Sequence, residues 1–115
     1  MIESRWVRPG THVSSVGYAP PRGEMPFDLV RQAALYVETR EAFKPPPVGC
    51  AELAGLDPQA GVELGEVLSG CKPGRASDDE ITVYKAMGVA MEDMVAAQLV
   101  YEEAKARGIG HHLAI

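Results

Sequence analysis

The sequence predicts an α/β domain, because short segments rich in β-forming residues alternate with segments of helical pattern. Three strands are expected, at 11–17, 35–39 and 81–86. A long helix is expected to follow them over about 89–107, where Gly108 stops it. The length of 115 residues fits one domain. We therefore treat the chain as a single domain made of three consecutive parts.

The first part, 1–45, contains a strand, a turn, a helix and a second strand. The strand THVSSVG ends at Gly17, and the proline-rich segment 20–23 predicts the turn that follows. A helix is expected to begin near Pro26 and to continue through FDLVRQAA, because proline is tolerated at the first helical position. The segment LYVET at 35–39 has the β-forming composition of the second strand.

The middle part, 46–78, is expected to hold short helices and loops. A stiff connector, KPPP at 44–47, joins it to the first part. Two short helices are predicted, CAELAG at 50–55 and VELGEVLSG at 62–70, since each is closed by a glycine. The segment SDDE at 77–80 matches a capping box, but we interpret it as the turn that precedes the third strand.

The last part, 79–115, combines the third strand with a helix that has two apolar faces. One face has spacings of four and three residues and consists of Ala90, Met94, Ala97, Tyr101 and Ala104. The other face has a spacing of four residues and consists of Met91, Val95 and Leu99. A surface helix normally buries one stripe. Two interpretations stay open: the chain's own strands and short helices cover both faces, or another copy of the chain covers one.

Composition excludes several classes of partner. The net charge is −5 and the basic residues are scattered, which argues against nucleic acid and against an anionic membrane surface. No apolar run reaches the roughly 20 residues that span a bilayer. Cys50 and Cys71 do not form a disulfide framework, so we expect reduced thiols in a cytoplasmic protein. No group of side chains has the spacing of a metal site.

Several segments resemble the C-terminal portion of the ornithine cyclodeaminase/mu-crystallin family. They are RPGTHVSSVG at 8–17, the acidic residue Glu24, LGEVLSGCKPGR at 64–75 and DEITVYKAMGVAMEDMVAAQLVYEEA at 79–104. Their order and spacing are also similar to those of the family. The resemblance implies a truncated Rossmann-like half, with residues 1–45 as its last strands and helix. It also implies a relation to NAD(P)-dependent dehydrogenases, ketimine reductases and cyclodeaminases of small amino acids.

The resemblance also implies where remnants of a ligand site would lie. Its cofactor-facing positions correspond to Val16, Gly17, Tyr18, Arg22, Lys85 and Ala86, and its substrate-facing position corresponds to Met87. Two departures matter: Ala19 stands where cyclodeaminases have their acid/base aspartate, and Ala86 stands where the family has a serine. Both departures argue against cyclodeaminase activity and leave a reductase or dehydrogenase ancestor.

A site for the cofactor's phosphates is not visible in the sequence. The only Gly-x-Gly, at 108–110, follows a predicted helix, where the helix dipole has the wrong sign for an anion. We therefore expect no cofactor on the isolated chain, and NAD(P) only if a partner supplies a dinucleotide-binding half. The favoured interpretation is a stand-alone, non-catalytic homo-oligomer joined through the helix 89–107, able to bind a small ligand and encoded in a mobile gene cassette. The alternative is one subunit of a split NAD(P)-dependent ketimine reductase or amino-acid dehydrogenase, whose N-terminal half is separately encoded.

Overall fold

A parallel sheet forms the centre of the molecule. The computed structural model describes residues 2–111 and 113. Its strands are β1 (His12–Ser15), β2 (Ala34–Val37), β3 (Gly61–Glu63) and β4 (Thr82–Lys85), in the spatial order β1-β4-β2-β3. All neighbouring strands are parallel. The predicted α/β class is therefore confirmed.

The register aligns the carboxyl ends of all four described strands, since Glu63 at the end of β3 lies opposite Val37. Lys85 at the end of β4 lies opposite Ser15 at the end of β1 and opposite Val37 at the end of β2. The segments that follow these strands therefore start at one edge of the sheet, which we call the carboxyl edge. Open parallel sheets bind ligands at this edge. Among the described residues, β1 pairs with β4 alone, so its outer side is open.

The described residues form three α-helices and several short 3₁₀ turns. The helices are α1 (Phe27–Gln32), α2 (Leu64–Leu68) and α3 (Ala90–Ala106). The 3₁₀ turns are Ser4–Trp6, Arg40–Phe43, Ala51–Leu53 and Pro58–Ala60. The helix predicted from near Pro26 is present, with Pro26 as its N-cap and the Val30 amide donating to the Pro26 carbonyl at 3.2 Å. It ends at Gln32 rather than continuing through FDLVRQAA, because Ala34 pairs with Thr82 as the first residue of β2. None of the described helices is long and apolar enough to cross a membrane.

The hydrophobic core lies on one face of the sheet. It is formed by Met25, Leu29, Val30, Leu35, Val37, Ala42, Phe43, Cys50, Leu53 and Val83. The sheet and α1 supply most of these residues, and Met25 lies just before α1. The others belong to the 3₁₀ turns at 40–43 and 51–53, or, for Cys50, directly precede the turn at 51–53. The strand period of two directs alternate residues, such as Val83 and Lys85, to the same face.

The segment 61–70 differs from the predicted helix at 62–70. It divides into β3 and α2, and α2 begins with a capping box in which the Glu63 amide donates to Glu66 Oε2 at 3.0 Å. The division has a tertiary cause. A Cβ on Gly61 would lie 2.6 Å from the Phe43 ring, so this backbone packs closely on the core as a strand.

Two further local predictions have different outcomes. The helix expected at 50–55 is only the 3₁₀ turn Ala51–Leu53, because the Cys50 amide donates to the Ala42 carbonyl at 3.0 Å and ties the segment to the core. The turn expected at 77–80 is present, with the Glu80 amide donating to the Ser77 carbonyl at 3.2 Å.

Helix α3 confirms the long helix expected over 89–107. No residue of α3 is buried, and the side chains of both faces are exposed, for example Met94 at 67% and Leu99 at 69%. The described elements of the chain do not cover these faces, so the interpretation in which they cover both is wrong, and coverage by another copy stays a prediction. Gly88, with φ of 79°, separates α3 from β4 and lets the chain turn away from the sheet.

Candidate functional site

A buried lysine organises the carboxyl edge. Lys85 is fully buried, and its ammonium donates hydrogen bonds to Ser15 Oγ at 2.9 Å and to the Gly17 carbonyl. The same nitrogen lies 3.2 Å from Glu52 Oε1 and 3.4 Å from Glu24 Oε2. An unpaired ammonium in the interior costs several kcal/mol. These four oxygens therefore make its burial possible.

Glu24 holds the end of β1 in place. Its Oε2 accepts hydrogen bonds from Ser15 Oγ at 2.6 Å and from the Gly17 amide at 2.8 Å. These two bonds, with the Ser15 bond contributing most, lower the pKa of the Glu24 carboxyl, and the charge of Lys85 lowers it further. The carboxylate is therefore ionised at neutral pH, although 37% of its side chain is exposed.

Glu52 is the second partner of the buried lysine. Its Oε1 also accepts a hydrogen bond from the Glu24 amide at 3.2 Å. Its Oε2 is buried and has no hydrogen-bond partner among the described residues. That oxygen lies against Gly23, where a Cβ would approach it to 1.8 Å. Any side chain at Gly23 would therefore displace Glu52, and the φ of 79° at this position also favours glycine.

Residues 17–23 form a loop, which we call the edge loop, that ends on a glycine at each side. A Cβ on Gly17 would lie 2.1 Å from Glu24 Oε1, so each terminal glycine is in contact with a carboxylate. Within the loop, the Gly23 amide donates to the Ala19 carbonyl at 2.7 Å. Tyr18 is half exposed, and Ala19 and Arg22 are also exposed. The loop therefore presents side chains to solvent and has buried contacts only at its ends.

The segment after β4 is held by another carboxylate. Glu38, which follows β2, accepts hydrogen bonds from the Met87 and Gly88 amides, each at 2.8 Å. Glu92 in the first turn of α3 contacts Glu38. Its pKa is raised by desolvation first, and then by the charge of Glu38 and a hydrogen bond with it. Two carboxyl groups thus lie together where the chain leaves the sheet for α3.

The structure brings together several of the residues implied by the family resemblance. Gly17, Lys85 and Ala86 lie beside one another, since the Ala86 amide donates to the Ser15 carbonyl at 2.9 Å. Val16 and Tyr18 are exposed at the same edge. Lys85 is engaged with protein oxygens, so it can act on a ligand only through the groups that it holds. The ligand-binding role of all seven positions stays a prediction.

Sequence reasoning missed Ser15, Glu38 and Glu52. A signal for a buried acid was present, because the alternation in TVYK directs Lys85 inward with Val83, and an inward lysine needs a carboxylate. Nothing in the local sequence shows that Glu52 is that partner. Cys50, which precedes it, is also buried, and burial together with the Glu52 charge raises the pKa of its thiol to about 11.

The opposite face of the sheet carries a separate groove of about 390 Å³. It is lined by His12, Tyr36, Leu64, Val67, Gly74, Arg75, Thr82 and Tyr84. Arg75 donates to the Gly10 carbonyl at 2.7 Å and to Thr82 Oγ1 at 3.0 Å, and His12 Nδ1 lies 2.8 Å from the same hydroxyl. Within residues 2–111 and 113, no cluster of His, Cys, Asp and Glu could hold a metal ion.

Comparison with known proteins gives a consistent relationship. The model of the ornithine cyclodeaminase/mu-crystallin family matches residues 1–108. Ketimine reductase mu-crystallin of Mus musculus is 47% identical over 103 residues, which cover 89% of this chain and 31% of that protein. Alanine dehydrogenase of Archaeoglobus fulgidus is 33% identical over 116 residues, which cover 96% of this chain and 35% of that protein.

The same relationship is found among solved structures. The iminosuccinate reductase of Paracoccus denitrificans in complex with NAD+ superimposes with a TM-score of 0.75 and 29% identity, over 97% of this chain and 35% of that one. An archaeal alanine dehydrogenase dimer with bound NAD gives a TM-score of 0.72 and 27% identity, over 96% and 36%. The chain spans about a third of the length of the curated relatives that it matches. It belongs to the ornithine cyclodeaminase/mu-crystallin family.

Proposed function

We propose that this chain is the nicotinamide-side part of an NAD(P)-dependent imine reductase, active only when another polypeptide segment supplies the dinucleotide phosphate site. The observation that carries this proposal is the ordered carboxyl edge. There the buried Lys85 fixes the edge loop beside the start of the segment 86–88. Two relatives support it, because they are named as reductases of a ketimine and of iminosuccinate.

The described residues fit only one end of a dinucleotide. The carboxyl edge offers exposed apolar and aromatic surface at Val16 and Tyr18, which suits a flat nicotinamide ring. A pyrophosphate instead needs backbone amides at a helix N-terminus after a glycine-rich turn. The N-cap of α1 is Pro26, which has no amide hydrogen, and Asp28 already places a negative charge in the first turn. The phosphates would therefore be held by the completing segment.

The chemistry at this edge also needs completion. When NAD(P) is bound, it supplies the hydride that an imine carbon accepts. Reduction of an imine also requires a proton on nitrogen, and a general acid must be protonated near the working pH. Glu24 is ionised at neutral pH, because its pKa is lowered by its hydrogen bonds to Ser15 and Gly17. The methyl side chain of Ala19 has no acidic proton to donate. We infer that the acid comes from the completing segment, while this chain orients the ring and excludes water below it.

A chimera tests the proposal directly. This chain would replace the matching C-terminal third of the Mus musculus ketimine reductase, and oxidation of NADPH and NADH would be followed with Δ1-pyrroline-2-carboxylate. We expect turnover by the chimera and none by the isolated chain. The parent reductase is the positive control. A folded chimera that binds NADPH without reducing the imine would contradict the proposal, and so would turnover by the isolated chain.

A second candidate function is a non-catalytic homo-oligomer that binds a small ligand, and the exposure of α3 favours it. Its apolar side chains are 59–69% exposed and include Met91, Met94, Val95, Leu99, Val100 and Tyr101. Contiguous apolar surface of this kind marks an interface. Association of copies through α3 would cover it without a catalytic partner. The cytoplasmic location and the mobile gene cassette stay predictions under either function.

Light scattering on the isolated chain at micromolar concentration tests the second candidate. Association through α3 predicts a mass above that of the monomer, and Leu99→Glu should return it to the monomer. Gln98→Glu is the matched control, because it adds the same charge to the neighbouring position. A strictly monomeric parent chain would reject this candidate. Calorimetry with NADH and NADPH separates the two functions, since tight binding by the isolated chain would contradict the need for a completing segment.

A further inference from the structure

We propose that Glu24, Lys85 and Glu52 form a clamp that holds both ends of the edge loop, and that the clamp opens when Glu24 is protonated. Glu24 and Lys85 are then positioning residues, since they act on a ligand through the loop. The importance of the loop for a ligand rests on the proposed function. The clamp itself is a property of the isolated chain and is tested there.

The first end of the loop is held at both of its backbone groups. The Gly17 amide donates to Glu24 Oε2 at 2.8 Å, and the Gly17 carbonyl accepts a hydrogen bond from the Lys85 ammonium. Charged groups thus satisfy the donor and the acceptor of one residue. Hydrogen bonds to charged groups are the stronger class in proteins. This end of the loop is therefore fixed by charge rather than by apolar packing.

The second end is held by the other carboxylate. Glu52 Oε2 lies against Gly23. Glu52 Oε1 accepts a hydrogen bond from the amide of Glu24, the residue after Gly23, at 3.2 Å. Lys85 lies within 3.4 Å of both carboxylates. One ammonium therefore connects the two ends of the loop, and a change at Glu24 reaches both of them.

Between its two glycines the loop contains no buried residue. Residues 18–22 are all exposed, whereas Gly23 is buried. Segments with few buried contacts open locally at low free-energy cost. The order of residues 18–22 therefore depends on the contacts at the two ends, and losing the contacts of Glu24 should loosen the whole loop.

The effect of pH follows from the groups around Glu24. It faces Ser15 from β1, the Lys85 ammonium from β4 and Glu52 from the 3₁₀ turn, with the Cys50 thiol beside Glu52. The pKa of Glu24 lies below its ordinary value of 4.5. A lowered carboxyl pKa means that the ionised form stabilises the fold above the unfolded value, and that this stabilisation is lost as pH falls through the folded value. The clamp should therefore be closed at neutral pH and open in acid below 4.5.

Nuclear magnetic resonance of the isolated, ¹⁵N-labelled chain tests the clamp. We expect the amide signals of Gly17, Tyr18, Ala19 and Arg22 to move together during acid titration, with one midpoint below 4.5. The Gly17 amide reports on Glu24 directly, because it donates to that carboxylate. Movement of Gly17 alone would overturn the proposal, since it would show that protonation is not transmitted along the loop.

Glu24→Gln provides the second test. At neutral pH we expect the Gly23 amide, which donates to the Ala19 carbonyl, to exchange with solvent on the order of tenfold faster than in the parent. The reason is that the Gly17 amide loses its carboxylate acceptor at residue 24, so the loop opens more readily. The amide of Val83 in the sheet should change less than that of Gly23, because it exchanges only by global unfolding. Glu103→Gln is the matched control, since that carboxylate pairs with Arg107 on exposed α3. An unchanged Gly23 exchange rate in Glu24→Gln would overturn the clamp.

The outcomes separate this inference from the proposed function. An inactive chimera with an intact acid transition of the loop would reject the reductase assignment and keep the clamp. An active chimera, together with an isolated chain whose loop amides do not move together in acid, would keep the reductase assignment and reject the clamp. If Glu24→Gln does not fold, the acid titration of the parent chain still decides.

Discussion

Replacing Lys85 by methionine should destabilise the domain far more than the same change at an exposed lysine. Methionine keeps most of the aliphatic stem, so the loss is mainly electrostatic. It leaves Glu52, with only 1% of its side chain exposed, without its cation at 3.2 Å. Removing one partner of a buried ion pair costs about 3–5 kcal/mol. Lys44→Met is the control, because Lys44 and Glu41 are more than half exposed, and such pairs contribute about 0–1 kcal/mol.

Urea unfolding at neutral pH, followed by far-ultraviolet circular dichroism, measures the free energy of unfolding of both variants. The expected difference between them is at least about 2 kcal/mol, the gap between the two ranges. A Lys85→Met variant that does not fold, beside a folded Lys44→Met variant, would indicate a larger cost. Equal free energies of unfolding would refute the reasoning, since they would mean that Lys85 is solvated or unpaired in solution.

Three further outcomes are expected. Gly23→Ala should cost more than the roughly 1–2 kcal/mol of a left-handed alanine, because its Cβ would lie 1.8 Å from a buried carboxylate oxygen. Gly55→Ala is the matched control, because Gly55 has a φ of 83° and no atom within 4 Å of the added Cβ. Urea unfolding should therefore show only the backbone cost for this variant. A thiol reagent should modify exposed Cys71 in the native chain and spare Cys50, whose thiol pKa burial raises to about 11, until urea unfolds it. Glu92→Gln should raise the thermal midpoint at pH 7 but not at pH 3, because desolvation and neighbouring carboxylates raise the pKa of Glu92, so its ionised form is disfavoured in the fold.

The elements that sequence predicted well are those whose signals are local. Helix α3 spans Ala90–Ala106, within one residue of the predicted 89–107 at each end, because its acidic first turn, its basic last turn and Gly108 all lie nearby in sequence. The predicted strands at 11–17, 35–39 and 81–86 each contain or overlap an observed strand. Alternation and glycine punctuation were sufficient signals for these segments.

The elements that sequence missed depend on distant contacts. β3 has three residues, and it is a strand because Gly61 packs against the Phe43 ring and pairs with Leu35. Of the helix predicted at 62–70, only Leu64–Leu68 is helical, as α2. The candidate site has the same property. The remnant positions at 16–18 and 85–87 came from family resemblance, whereas the Glu52 contact with Lys85 requires the 3₁₀ turn at 51–53 to pack beneath the sheet.

Stability alone would not explain the buried ion pair of Lys85 and Glu52. Well-packed apolar residues often replace a buried ion pair at no cost, or even raise stability. Lys85→Met combined with Glu52→Met should therefore recover most of the stability lost by Lys85→Met alone. The same double variant removes the hydrogen bond to the Gly17 carbonyl and the contact beneath Gly23.

The edge loop of the double variant should therefore exchange amide protons faster than the parent loop, although the fold is nearly as stable. Measuring unfolding and loop exchange on one sample separates the two roles. A double variant that is stable and keeps a protected loop would show that apolar packing suffices to hold the edge. A stable variant with a loose loop would mean that the charges at the carboxyl edge serve the loop, and through it the ligand, more than the fold.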